Sequence, residues 1–268
     1  NYNTKKITWL KKSLNDLNNQ SCLPAEILIS LNSNVATNKL VKKEIDKVFP
    51  EARIITTNFD RSGILNFEML VQFATQKYIC FWSDHDLHHP QFLEYTFQEI
   101  KLKHATHACP LVSIVSENEK NINLSKSEII KEVNTTNMNK VEAFDYCLNS
   151  YIIGSIYGIW DKTIFNKVNI VGSEMFDMLL VVSSSLEKGY VFFKSPEKLF
   201  MLRNVIKVPE NGFGNHVKLL PKYILDYKNY LNTEFFRFTI SVLQIIKEST
   251  LLESEKKECI TILNRNLK

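Results

Sequence analysis

Residues 78–82, Tyr78-Ile79-Cys80-Phe81-Trp82, form an unbroken apolar run that gives way at once to Ser83-Asp84-His85-Asp86. A run without polar alternation reads as a central strand buried on both sides, which demands helices above and below the sheet. The flanking pattern agrees. Residues 5–17 place Ile7, Leu10, Leu14 and Leu17 at helical spacing, 26–31 make a short apolar strand, and Leu40, Val41, Ile45 and Val48 mark a helix closed by Pro50. Residues 52–56 read as the next strand and 64–73 as a helix with Leu65, Met69 and Phe73 on one face. Alternation at this rhythm is that of βαβ crossovers around a parallel sheet, where ligands bind at the carboxyl ends of strands. Ser83 to Pro90 holds that position.

Further along, Phe92, Leu93, Phe97 and Ile100 predict a helix, 111–115 a strand, and 117–140 a long polar, Asn-rich excursion. Strands at 151–160, 190–193 and 199–202 and a helix at 175–186 follow. Beyond residue 208 the pattern is almost purely helical. Pro221 opens a helix with Tyr223, Ile224, Tyr227 and Leu231 on one face, 235–246 is apolar nearly all round and so expected between other helices, and 254–267 makes a last helix. The expected organisation is an α/β domain at 1–208 and a helical extension at 209–268. Asn1-Tyr2-Asn3 reads as the tail of a strand whose body lies upstream.

With 268 residues, 44% of them hydrophobic, the chain can bury a full α/β core. A net charge of +4 and a pI near 8.6 suit an anionic substrate or an acidic membrane surface and argue against nucleic acid. Five scattered cysteines without a C-x-x-C pair predict a reduced, cytoplasmic protein. Without an apolar run of spanning length, the chain is expected in solution or peripheral at the inner face of a membrane. Its C-terminal helices offer a face for that membrane or for a homodimer.

Asp84 and Asp86, one residue apart at a strand's carboxyl end, can converge on one hard cation, manganese or magnesium, while leaving positions open for phosphate oxygens. On spacing alone they serve equally as caps and solvating groups of a turn. His85, His88 and His89 invite zinc, but no cysteine is near to complete a tetrahedron.

Leu10-Lys11-Lys12-Ser13-Leu14, the 26–29 strand, the 78–86 run and Pro90-Gln91-Phe92-Leu93-Glu94 together resemble the family-2 glycosyltransferases of GT-A fold, over about the first hundred residues. The resemblance implies a mixed, mostly parallel Rossmann-like sheet flanked by helices. It also implies a sugar transferred with inversion from a nucleotide-diphosphate sugar to a hydroxyl of a glycan or lipid-linked acceptor, as in polysaccharide synthesis. Asp86, with Asp84, becomes the metal site. Asn1, Tyr2, Asn3, Asn32, Arg61, Asp84, Arg203 and His216 fall on the donor side, and Tyr157 and Gly158 on the acceptor side. Glu174 and Asp177, opening the helix after the acceptor-side strand, supply the catalytic base, Asp177 by its spacing from Gly189. Ser83 stands where the family often has another acid, and Asn32 where it often has an aspartate. Two other readings remain: a nucleotidyltransferase on a similar sheet, though the Gly-rich opening loop of such enzymes is absent from the sequence, and a non-catalytic glycosyltransferase-like scaffold.

Overall fold

The structure, a computed structural model, describes residues 4–56, 63–116, 132–149, 156–168, 176–195, 200–204 and 227–266. The first half runs α1 (Thr4–Asn18), β1 (Leu28–Leu31), α2 (Val35–Val48), β2 (Arg53–Thr56), α3 (Gly63–Phe73), β3 (Tyr78–Cys80), β4 (Leu87–His88) and α4 (Phe92–Leu102). Then come β5 (His107–Pro110), β6 (Val112–Ser116), β7 (Val133–Asn134), α5 (Lys140–Asn149), β8 (Ile159–Asp161), α6 (Phe176–Leu186), β9 (Tyr190–Phe193), β10 (Phe200–Asn204), α7 (Tyr227–Glu248) and α8 (Glu253–Asn266).

The strands form a mixed arrangement in three parts: a five-stranded sheet ordered β3-β8-β5-β9-β7, a three-stranded sheet β4-β10-β6, and the parallel pair β1-β2. Parallel pairing also joins β5 to β9 and β6 to β10, while β8 lies antiparallel to both β3 and β5. Alternation along each strand divides the apolar side chains between two layers. Trp160, Cys109 and Phe192 face a cluster with α5 and α6, whereas Ile159, Ala108 and Val191 face one with Phe92, Leu93 and Ile100 of α4. A third cluster joins Leu10 and Leu14 of α1 to Val41 and Ile45 of α2 and Leu31 of β1.

Several expectations change. Among the described residues β3 stands at the end of its sheet's order instead of its centre. Both faces are still covered, Ile79 meeting one cluster and Tyr78 and Cys80 the other, so the run is apolar without being central. The strand expected at 111–115 is β6, and a further strand, β5, directly precedes it. Pro110 ends β5 with no N–H to give, and the Leu111 N–H bonds to the Phe193 carbonyl at 2.8 Å while the chain passes into the second sheet. Of the strand expected at 151–160, residues 151–155 lie outside the described residues; in the described part the extended backbone begins at Ile159, after Gly158 at φ +94°. The described end of the excursion, 132–140, carries β7 and the start of α5, too short a strand to show a periodicity.

The helix expected between other helices, 235–246, is buried on one face only. Phe238, Val242, Ile245 and Ile246 enter the cluster with Leu179 and Leu180, while Phe236, Ile240 and Leu243 are exposed. α7 packs on α6 and α8 on α5, so the C-terminal helices share the core of the sheet's helical layer. Residues 209–226 of the expected extension lie outside the described residues. Among those described, no helix is long and apolar enough to cross a membrane.

Candidate active site

The turn between β3 and β4 is built on aromatic anchors. Phe81 is buried edge-on against Phe67, 4.6 Å between ring centroids, and against Phe165 at 5.7 Å. Trp82 stacks on His88 at 3.6 Å and meets Phe92 edge-on. Between these rings residues 83–86 are all polar. The Ser83 hydroxyl lies 2.9 Å from His85 Nδ1, and the same ring nitrogen is 2.7 Å from Asp84 Oδ1. His85 Nε2 stands 3.8 Å from Asp86 Oδ1. The two carboxylates differ sharply in access: the Asp86 side chain is fully buried and the Asp84 side chain is 49% exposed.

Tyr157 reaches the same turn from the other side of the site. Its phenol is held above the ordinary tyrosine range first by burial, then by the charge of Asp86 and a hydrogen bond with that carboxylate. Ser83 also bonds the phenol. The Tyr157 carbonyl accepts the Nε2–H of His107 at 2.9 Å. Burial pushes the His107 imidazole down to about 3, so it is neutral, and it lies flat on Trp160 at 3.7 Å. Gly158 is buried against β5, where an added Cβ would stand 2.3 Å from the Ala108 carbonyl oxygen. That packing, and not an open surface for an acceptor, is what the structure assigns to Gly158.

Asp177 lies in the first turn of α6, half-buried, with the Met178 N–H donating to its Oδ1 at 2.9 Å. Its neighbour Phe176 packs on Phe67 at 5.7 Å, and Phe67 packs on Phe81. Through these rings the start of α6 stands beside the carboxylate turn. Asn32 is half-buried at the carboxyl end of β1. The turn after it is braced by Asn38, which accepts from Ser33 N–H at 3.1 Å and donates to the Ser33 carbonyl at 2.9 Å. Arg203 lies on β10, two residues beyond Met201, which pairs with Leu87 of β4. Asn1, Tyr2, Asn3, Arg61, Glu174 and His216 lie outside the described residues.

The sequence reading missed the supports. Ser13 and Asp16 of α1, with Gln20 just past its end, bond to the turn and the start of α4. Their signal is a polar line beside the apolar stripe of α1.

The donor set of Asp84 and Asp86 is hard oxygen only, which fits manganese or magnesium completed by substrate oxygens and water. Among the described residues no group of three or more His, Cys, Asp and Glu is placed to cage a metal. A groove of about 370 Å³ lined by Thr135, Lys140, Ser185, Gly189 and Thr250 lies at the amino end of β9, the opposite pole from this turn.

Residues 1–156 match the family model described as Glycosyl transferase family 2, and the chain belongs to that family. Among solved structures it is similar to S. aureus TarS 1–349, with a TM-score of 0.60 at 10% identity, covering 98% of this chain and 69% of that one. The same protein in complex with UDP-GlcNAc matches at 0.58 and 14% identity over the same shares. A further structure of S. aureus TarS matches at 0.60 and 13% identity, covering 98% of this chain and 42% of that one. Such identities establish the shared fold, GT-A. No curated protein sequence matches at a significant level.

Proposed function

We propose that the chain is an inverting glycosyltransferase that moves a sugar from a nucleotide-diphosphate sugar to a hydroxyl of a growing glycan or lipid-linked acceptor. The observation that carries the reading is the pairing of a buried Asp86 with an exposed Asp84 at the carboxyl end of β3, in a chain of the glycosyltransferase family. TarS, of the same fold, is described in complex with UDP and with UDP-GlcNAc, which supports a uridine nucleotide as the first donor to try.

Asp84 and Asp86 would hold a manganese or magnesium ion, whose chemistry is to neutralise the diphosphate as it leaves. Asn32 is the candidate contact for the nucleoside, and Arg203 for the diphosphate, as a fork of donors. Tyr157, with its phenol on Asp86, marks the side from which the acceptor arrives. The acceptor oxygen forms a bond to the anomeric carbon as the bond from that carbon to the diphosphate oxygen breaks. The acceptor's proton passes to the Asp177 carboxylate, and the nucleoside diphosphate leaves with the electron pair. Attack from the face opposite the leaving group inverts the configuration.

A screen of nucleotide sugars for release of free nucleoside diphosphate, with manganese and a panel of hydroxyl acceptors, tests the proposal. Acceptor-dependent release from one donor is expected. Absence of both binding and release for every donor overturns it.

A further inference from the structure

We infer that α1 is a clamp that positions the carboxylate turn, with Asp16 as its central positioning residue, an inference that rests on reading Asp84 and Asp86 as the cation and diphosphate site. Ser13, Asp16 and Gln20 are spaced by three and four residues, so they line one side of α1 and its exit. Each grips a different point of the chain around the carboxylates. Ser13 accepts the Trp82 indole N–H at 2.9 Å and donates to the Ser83 carbonyl at 2.5 Å, just before Asp84. Asp16 Oδ2 accepts the His88 backbone N–H at 3.0 Å, just after Asp86. Gln20 donates to the His89 carbonyl at 2.8 Å and accepts the Leu93 N–H at 3.0 Å.

Ser13 and Gln20 are buried, which keeps water from competing for their bonds, and Asp16 between them is half-buried. The turn is thereby held at both ends by an element more than sixty residues away in sequence, while its tip, Asp84, stays open to solvent. Two like charges one residue apart repel each other, and a free turn would splay them. A turn pinned at positions 83 and 88 keeps both within reach of one cation before the cation arrives, which removes an ordering cost from binding. The clamp's contribution lies in ion affinity rather than in the transfer step, since none of its groups is a ligand or a base in this account.

The test is a paramagnetic resonance titration of manganese into the full chain with saturating UDP, for wild type, Asp16→Ala, Asp16→Asn, Ser13→Ala and Asp86→Ala. Circular dichroism and thermal unfolding report which variants are folded. Asp16→Ala should weaken manganese binding about tenfold. Asp16→Asn keeps an oxygen for the His88 N–H and should restore it to within about threefold of wild type. Ser13→Ala should move in the same direction as Asp16→Ala and carries the test alone if Asp16→Ala does not fold. Wild-type affinity in the folded clamp variants, or an Asp16→Asn no better than Asp16→Ala, overturns the clamp alone. A wild type that binds no manganese, or an Asp86→Ala that binds it as well as wild type, overturns the site reading and the clamp with it.

Discussion

Trp82 lies flat on His88, with planes 20° from parallel, and so closes the base of the turn that carries Asp84 and Asp86. Burial pushes the His88 imidazole down to about 3, so the stack is between two neutral rings and owes nothing to cation–π attraction. Trp82→Ala removes the ring and its indole bond to Ser13, and should cost about 3 kcal/mol. Trp82→Phe keeps an aromatic face and loses the bond, for about 1 kcal/mol. Urea unfolding of the two variants checks the order.

Gly158 is required by geometry. At φ +94°, with the Ala108 carbonyl oxygen 2.3 Å from where a Cβ would stand, Gly158→Ala has both strained backbone and a clash with β5. Destabilisation of at least about 2 kcal/mol is expected in urea unfolding. Transfer should fall as well, because the displaced turn carries Tyr157.

Part of the pH dependence of folding follows from His107, depressed by burial from 6.5 to about 3, beside the equal share of His88. The unfolded chain binds its proton below pH 6.5 and the folded chain does not, so stability is full above that pH and is lost as pH falls toward 3. The slope for this one group approaches about 1.4 kcal/mol per pH unit inside the window. His107→Gln, which preserves a donor for the Tyr157 carbonyl, should flatten the loss of stability between pH 6 and 4. An unchanged slope in denaturant titrations at those pH values would show that His107 does not set it.

Much of this was legible before the structure. The apolar spacing of α1, α2 and α4 is strong because each buries one stripe, and the run at 78–82 ended where chemistry was expected, whereas on α3 the expected face is only part buried, Met69 and Val71 lying inside and Leu65 and Phe73 outside. What escaped had physical reasons. β4 and β7 are two residues long and carry no period. The change of sheet at Pro110-Leu111 falls inside the apolar stretch Ala108–Val112 and so leaves no mark in the sequence pattern. α5 went unread although Val141, Phe144, Cys147 and Leu148 keep helical spacing, because it follows a polar stretch that masks its start. The clamp residues could not be read from spacing, since a polar side chain on an amphipathic helix announces water unless its partner is known.

Asp177→Asn removes the proposed base and keeps the shape of the first turn of α6. Donor binding should be unchanged and the transfer rate should fall by a factor on the order of 10² to 10⁴. Rapid-quench measurement of product from bound donor separates the two, and retained transfer removes Asp177 from the role.

Calorimetric binding of UDP-GlcNAc with and without manganese, to wild type and to Asp86→Ala, tests the central claim most directly. The account predicts binding by wild type that requires the metal and is lost or at least tenfold weaker in Asp86→Ala, with folding intact. Equal binding by the two proteins, or binding indifferent to manganese, would contradict it.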